Sequence, residues 1–188
     1  AMNGKQVTLV FPEEGIGAAL FPHKLNQFLN GYSRDKGVKV MPRQMVTGLT
    51  RKQDRLLLDV DNAEKTEKQT IEVDAVVAGI GIKPNLRWLE PAGLAVDNGI
   101  VVDEMLRAGH PDIFAAGDAA SFYNPSLGMR LRAEHEDNAL IMGEYAGRNM
   151  AGESRPYHHL PYFYSDLFDL GYEAVGKTDS RLETLEDW

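Results

Sequence analysis

The sequence contains no cysteine, which excludes disulfide frameworks, thiolate zinc sites and Cys-x-x-Cys redox pairs within its 188 residues. No apolar run approaches the roughly 20 residues that a membrane-spanning helix needs, and no charged-then-apolar leader opens the chain. Positive charge is also short. Against 28 Asp and Glu stand only 20 Lys and Arg, a formal net charge of −8. Nucleic acids and anionic membranes select a basic face, so neither is expected as a partner. Nor does any stretch read Gly-x-Gly-x-x-Gly. What is present suffices for a packed core: 43% hydrophobic against 26% charged residues argues against disorder. The expectation is a cytoplasmic α/β chain of one large or two modest domains.

The chain is organised around Pro111–Ala120, which reads Pro-Asp-Ile-Phe-Ala-Ala-Gly-Asp-Ala-Ala. Ile113–Ala116 is an apolar run of the length expected for one buried strand of a parallel sheet. It stops at Gly117, where a missing Cβ lets a backbone approach a ligand closely. Asp118 follows with an acceptor-only carboxylate at the end of the strand, where open α/β sheets bind ligands. A plain core strand ending in a Gly-Asp turn is the alternative, and the neighbouring segments decide between them.

From the start, Gln6–Phe11 is strand-like and runs into Pro12-Glu13-Glu14-Gly15. In dinucleotide-binding folds an acidic residue at this place accepts hydrogen bonds from ribose hydroxyls, and its charge disfavours a 2′-phosphate. Glu13 or Glu14 fits that role, and a solvated acidic loop fits equally well. Leu25, Phe28, Leu29 and Tyr32 predict a helix over Phe21–Lys36, stopped by Gly37. Strands are expected at Val38–Met41, Met45–Thr50, Arg55–Val60 and Thr70–Val73, the last three as an antiparallel meander. A turn is expected at Asp61–Glu64 and a solvated hairpin tip at Glu64–Lys68. Asp74–Ile82 reads as a continuous buried strand. It ends in Gly79-Ile80-Gly81, where Gly81 permits close approach to a cofactor, and Pro84 redirects the chain. Ile100–Asp103 is a further strand, and Ala133–Met150 a helix with acidic residues in its first turn.

Taken in order, Leu9–Glu13, Gly37–Pro42, Asp74–Asn85, Ile113–Asp118, Glu134-His135, Tyr162–Leu167 and Gly171–Gly176 resemble the FAD-dependent pyridine nucleotide-disulfide oxidoreductases. Among these they are most similar to the apoptosis-inducing-factor and ferredoxin-reductase-like branch. The resemblance implies partial FAD- and NAD(P)-binding Rossmann-like three-layer domains, an antiparallel meander and the start of an α+β C-terminal domain. Residues 1–82 would be the later part of the NAD domain and 83–156 the returning half of the FAD domain. Residues 157–188 would begin a dimerisation-like domain. Both Gly-rich phosphate loops would precede residue 1.

The same resemblance implies site residues. Gly117 and Asp118 would meet the flavin ribityl chain. Ala133, Glu134 and His135 would face the flavin pyrimidine edge from a helix start, whose positive end stabilises negative charge arriving on reduction. His135 stands equally as a titrating neighbour of the flavin or as an exposed histidine. Tyr164 replaces a frequent Trp near the nicotinamide and can still stack. His158-His159 is assigned no metal. The implied activity is hydride transfer from NAD(P)H, with NADH favoured, to FAD and onward to a protein or small-molecule acceptor. The alternative is a noncatalytic fragment that folds and self-associates without flavin.

Overall fold

The computed structural model describes residues 1–62, 64 and 66–187. Ala63 and Lys65, within the turn and hairpin tip expected after Asp61, lie outside them. The chain forms two compact units. One is Ala1–Ile80 together with Thr178 and the residues after it, and the other is Gly81–Lys177.

The first unit opens with a βαβ crossover. Strand β1 (Val7–Val10) pairs in parallel with β2 (Val38–Met41), Val7 facing Val38, and helix α1 (His23–Asp35) connects them. The helix starts after Pro22, whose fixed φ suits that position, and stops at Gly37, which takes φ +82°. Asn26, Leu29, Asn30 and Ser33 recur at helical spacing and make the buried face. That face is unusually polar because it holds the loop after β1. Asn30 Oδ1 accepts from Ile16 N at 3.0 Å, and Asn30 Nδ2 donates to the Glu14 carbonyl at 3.1 Å. At Gly15 a Cβ would lie 2.4 Å from Asn26 Oδ1, so only glycine fits there.

The expected meander follows as β3 (Gln44–Lys52), β4 (Arg55–Asn62) and β5 (Lys68–Val73), antiparallel in that order. Leu58 and Val60 bury its central strand. A bulge between Val46 and Gly48 shifts the register against β4.

The buried strand expected at Asp74–Ile82 does not form. The segment has no regular secondary structure, and Val77 and Ile80 are 96% and 91% exposed. A run that is apolar on both faces stays buried only between hydrogen-bonded neighbours. Among the described residues no strand pairs with it.

In the second unit a 3-10 turn (Arg87–Ala92) precedes β6 (Ile100–Val101), β7 (Ala120–Asn124) and β8 (Met129–Leu131). β6 and β7 are parallel, and β7 and β8 antiparallel. Helix α2 (Glu136–Met150) follows, then the hairpin β9 (Tyr162–Leu167) and β10 (Leu170–Val175). Leu106, Val102, Phe122, Met142 and Tyr157 are the centre of the core. The expected strand at Ile113–Ala116 is replaced by local antiparallel contacts. Ala108 N donates to the Ile113 carbonyl at 2.8 Å and Ala115 N to the Leu106 carbonyl at 3.1 Å. The backbone is satisfied by its own preceding turn, and the regular strand begins only at Ala120, beyond Gly117-Asp118.

Candidate flavin-facing site

Helix α2 begins without a side-chain cap: His135 occupies the N-cap position in extended conformation and makes no capping hydrogen bond. The first intrahelical bond runs from Ala139 N to the His135 carbonyl at 2.9 Å. An uncapped helix start keeps backbone N–H groups available for an acceptor and concentrates the positive end of the helix dipole.

Gly117, Asp118, Ala133, Glu134 and His135 gather at this helix start. Gly117 is buried with φ +67°, and its N–H donates to the Met142 sulfur at 3.2 Å. A Cβ at Gly117 would meet the Ala139 methyl at 3.4 Å, so the 3-10 turn Gly117–Ala119 sits directly on α2. The Asp118 side chain is exposed and has no partner among the described residues. Ala133 is buried, and its carbonyl accepts from Asn138 Nδ2 at 3.4 Å. Glu134 pairs with Arg132, whose Nη1 also donates to the Asp118 carbonyl at 3.3 Å.

His135 is stacked on Phe163 of β9, centroids 4.2 Å apart and planes 15° from parallel. Its ring is therefore oriented by the hairpin rather than loose in solvent. Tyr164, next on β9, projects to the opposite face and is 61% exposed. Behind the site Tyr157 is buried and donates to Asn138 Oδ1 at 2.9 Å. Burial pushes its phenol well above the ordinary value, with the Asp137 carboxylate and Tyr145 adding to the effect.

Glu13 belongs to the first unit, and Gly81 opens the second. Glu13 follows β1 in the first unit, exposed and with no side-chain partner among the described residues. Glu14 is engaged: His23 Nδ1 lies 2.7 Å from Oε1 and Arg43 Nη2 3.5 Å from Oε2. The hydrogen bond from His23 and the charge of Arg43 hold its carboxyl below the usual range. Gly81 takes φ +83° in the exposed segment after β5.

Three participants are not apparent in the sequence. The Arg132 residue is half-buried and its side chain only 8% exposed, although arginine is ordinarily a surface residue. His159 Nε2 lies 2.5 Å from Asp137 Oδ2, which also accepts from Tyr162 N at 3.2 Å. Their separation of 22 positions conceals the pair. Phe163 gives no sign of being a platform for His135. Among the described residues no group of three His, Cys, Asp or Glu could hold a metal ion. No helix among them is long and apolar enough to cross a membrane. A surface cavity of about 540 Å³ in the second unit, lined by Asp103, Arg107, His110 and Arg130 among others, includes none of the expected site residues.

Comparison with known proteins places the chain in a family. The family model described as pyridine nucleotide-disulphide oxidoreductase matches residues 1–143. A second, for the mitochondrion-associated C-terminal part of apoptosis-inducing factor, matches residues 146–188. The chain belongs to the pyridine nucleotide-disulphide oxidoreductase family. It is 36% identical to apoptosis-inducing factor 1, mitochondrial, of Dictyostelium discoideum, over 97% of this chain and 35% of that protein. It is 31% identical to a ferredoxin–NAD(P)(+) reductase of a Sphingomonas species, over 98% of this chain and 44% of that protein. A crystal structure of a ferredoxin reductase from Rhodopseudomonas palustris superimposes with a TM-score of 0.80 at 27% identity, covering 92% of this chain and 42% of that one. The chain therefore spans less than half the length of each of these relatives.

Proposed function

We propose that this chain carries part of the cofactor site of an FAD-dependent NAD(P)H oxidoreductase. The observation that carries the reading is the uncapped start of α2, flanked by the unpartnered Asp118 carboxylate and the oriented His135 ring. That donor and acceptor set fits the pyrimidine edge and ribityl chain of FAD. Gly117 leaves no Cβ on the turn beside α2. When bound, FAD would supply a hydride acceptor for NAD(P)H and a source of electrons for a further acceptor.

The chain's own residues then have separable tasks. The backbone N–H groups at the start of α2 stabilise negative charge that arrives on reduction. Asp118 accepts a hydroxyl hydrogen bond and fixes the ribityl register. His135, held flat by Phe163, lines the same edge, and Tyr164 offers an exposed ring for stacking. Glu13, left free while Glu14 is tied to His23 and Arg43, accepts from ribose hydroxyls and favours NADH over NADPH. In this reading residues 1–82 belong to an NAD domain, 83–156 to an FAD domain and 157–188 to a C-terminal domain. A ferredoxin-type protein is the acceptor suggested by the reductases it resembles.

Titration of the purified chain with FAD tests the reading. Quenched flavin fluorescence and a bound visible spectrum, both weakened at least tenfold in Asp118→Ala, are expected. A wild-type chain that leaves FAD fluorescence unchanged refutes it.

A second reading rests on a different observation, the nearly full exposure of the apolar side chains Val77 and Ile80. It makes the chain a fragment that self-associates without flavin through that surface. A colourless protein that sediments as a dimer or larger species would favour it.

A further inference from the structure

Arg132 is the least exposed charged side chain of the site, 8% exposed, and its Nε has no hydrogen-bond partner among the described residues. Its two other nitrogens bind the Asp118 carbonyl and the Glu134 carboxylate, and Glu134 itself is 40% exposed. Such a buried cation is a poor stabilising device, since well-packed apolar residues often serve as well or better. Its surroundings suggest another role. Three carboxylates crowd the start of α2 close to the residues named above: Glu134, Glu136 and Asp137. Asp137 is occupied by His159 and by Tyr162 N–H, and Glu134 by Arg132, which leaves the exposed Glu136 on the helix and Asp118 on the neighbouring turn.

We infer that Arg132 is a positioning residue that cancels the Glu134 charge at the mouth of α2 and ties the Gly117–Ala119 turn to it. The helix start then presents positive potential, and not the Glu134 carboxylate, to whatever anionic group it faces. The inference rests on the flavin reading above for the identity of that group, which is the pyrimidine edge of reduced flavin. Without Arg132, Glu134 would stand uncompensated beside that edge and oppose the arrival of negative charge. The turn bearing Asp118 would lose its tie to the residues that precede α2.

The test compares wild type with Arg132→Met, Glu134→Gln, the double variant and Arg132→Lys, in the full chain. Two quantities are read: the midpoint potential of bound FAD and the urea midpoint of the flavin-free protein. Arg132→Met should lower the relative affinity for reduced over oxidised flavin at least tenfold, about 30 mV for a two-electron couple. The double variant should recover most of that loss, and Arg132→Lys should stay near wild type. In urea, Arg132→Met should be destabilised more than the double variant, because only the single variant leaves Glu134 without its counter-ion. A double variant no better than Arg132→Met in either measurement overturns the inference. Should Arg132→Met fail to fold, Glu134→Gln and Arg132→Lys decide. An unchanged potential in Glu134→Gln, or a drop in Arg132→Lys as large as that expected for Met, overturns it. A wild-type chain that binds no FAD refutes the proposed function, and the urea comparison alone then decides whether Arg132 neutralises Glu134.

Discussion

Replacing Tyr157 by Phe isolates one buried hydroxyl. The ring is 2% exposed and packed edge-on against Phe122 and Tyr145, at centroid distances of 5.3 and 5.4 Å. Phenylalanine keeps those contacts. What it removes is the donor to Asn138 Oδ1, and Asn138 is fully buried. A buried acceptor left without its donor costs about 1–3 kcal/mol. At a urea m-value of about 2 kcal/mol/M the midpoint should fall by about 1 M, with m itself unchanged. Circular dichroism across a urea series reads this directly. The same substitution should change the alkaline limb. Burial raises the Tyr157 phenol, so the folded chain keeps a proton that the unfolded chain releases. Stability from this group is full below the ordinary phenol value of about 10 and is lost as pH rises above it. Tyr157→Phe should therefore begin less stable at neutral pH and lose less between pH 9 and 11. A midpoint within about 0.2 M of wild type, or an alkaline limb parallel to it, would refute the assignment of a buried, hydrogen-bonded phenol.

Other outcomes follow from features described above. Gly117→Ala forces a Cβ into a left-handed backbone and against Ala139, and should cost roughly 1–2 kcal/mol in a thermal melt. Glu14 is held below the usual carboxylate range by His23 and Arg43, so its contribution is present above that range and disappears as pH falls through it. Glu14→Gln should flatten the acid limb of a stability–pH curve. Val77→Lys should leave stability within about 0.5 kcal/mol of wild type while reducing binding of an apolar dye, because that side chain is almost wholly in solvent.

Where local chemistry decides the structure, the sequence was readable. Helix α1, its stop at Gly37, and the meander follow from spacing, a left-handed glycine and alternating strands. Strand β2 matches its expected bounds, Val38–Met41. The expectations at Asp74–Ile82 and Ile113–Ala116 failed for one physical reason. An apolar run shows that a segment can be buried, but whether it becomes a strand depends on partners remote in sequence. The first has none among the described residues, and the second is satisfied by its own preceding turn. Gly117-Asp118 stands out by residue type, but its grouping with Ala133–His135 comes from the family resemblance and not from spacing. Arg132 could not be anticipated, because burial of an arginine and its choice of partner are decided by packing alone. Asp137 and His159 meet only because β9 is carried back to α2, and no spacing rule contains that contact.

The first unit is discontinuous. Ser180 N donates to the Ala19 carbonyl at 3.1 Å and Lys24 Nζ to Glu186 at 2.9 Å, so its final segment arrives only after the whole second unit has been made. The contacts of Ala19 and Lys24 with that segment cannot form until residues 178–187 have been made. A unit opened by β1 is thus closed by a segment more than 150 positions further along.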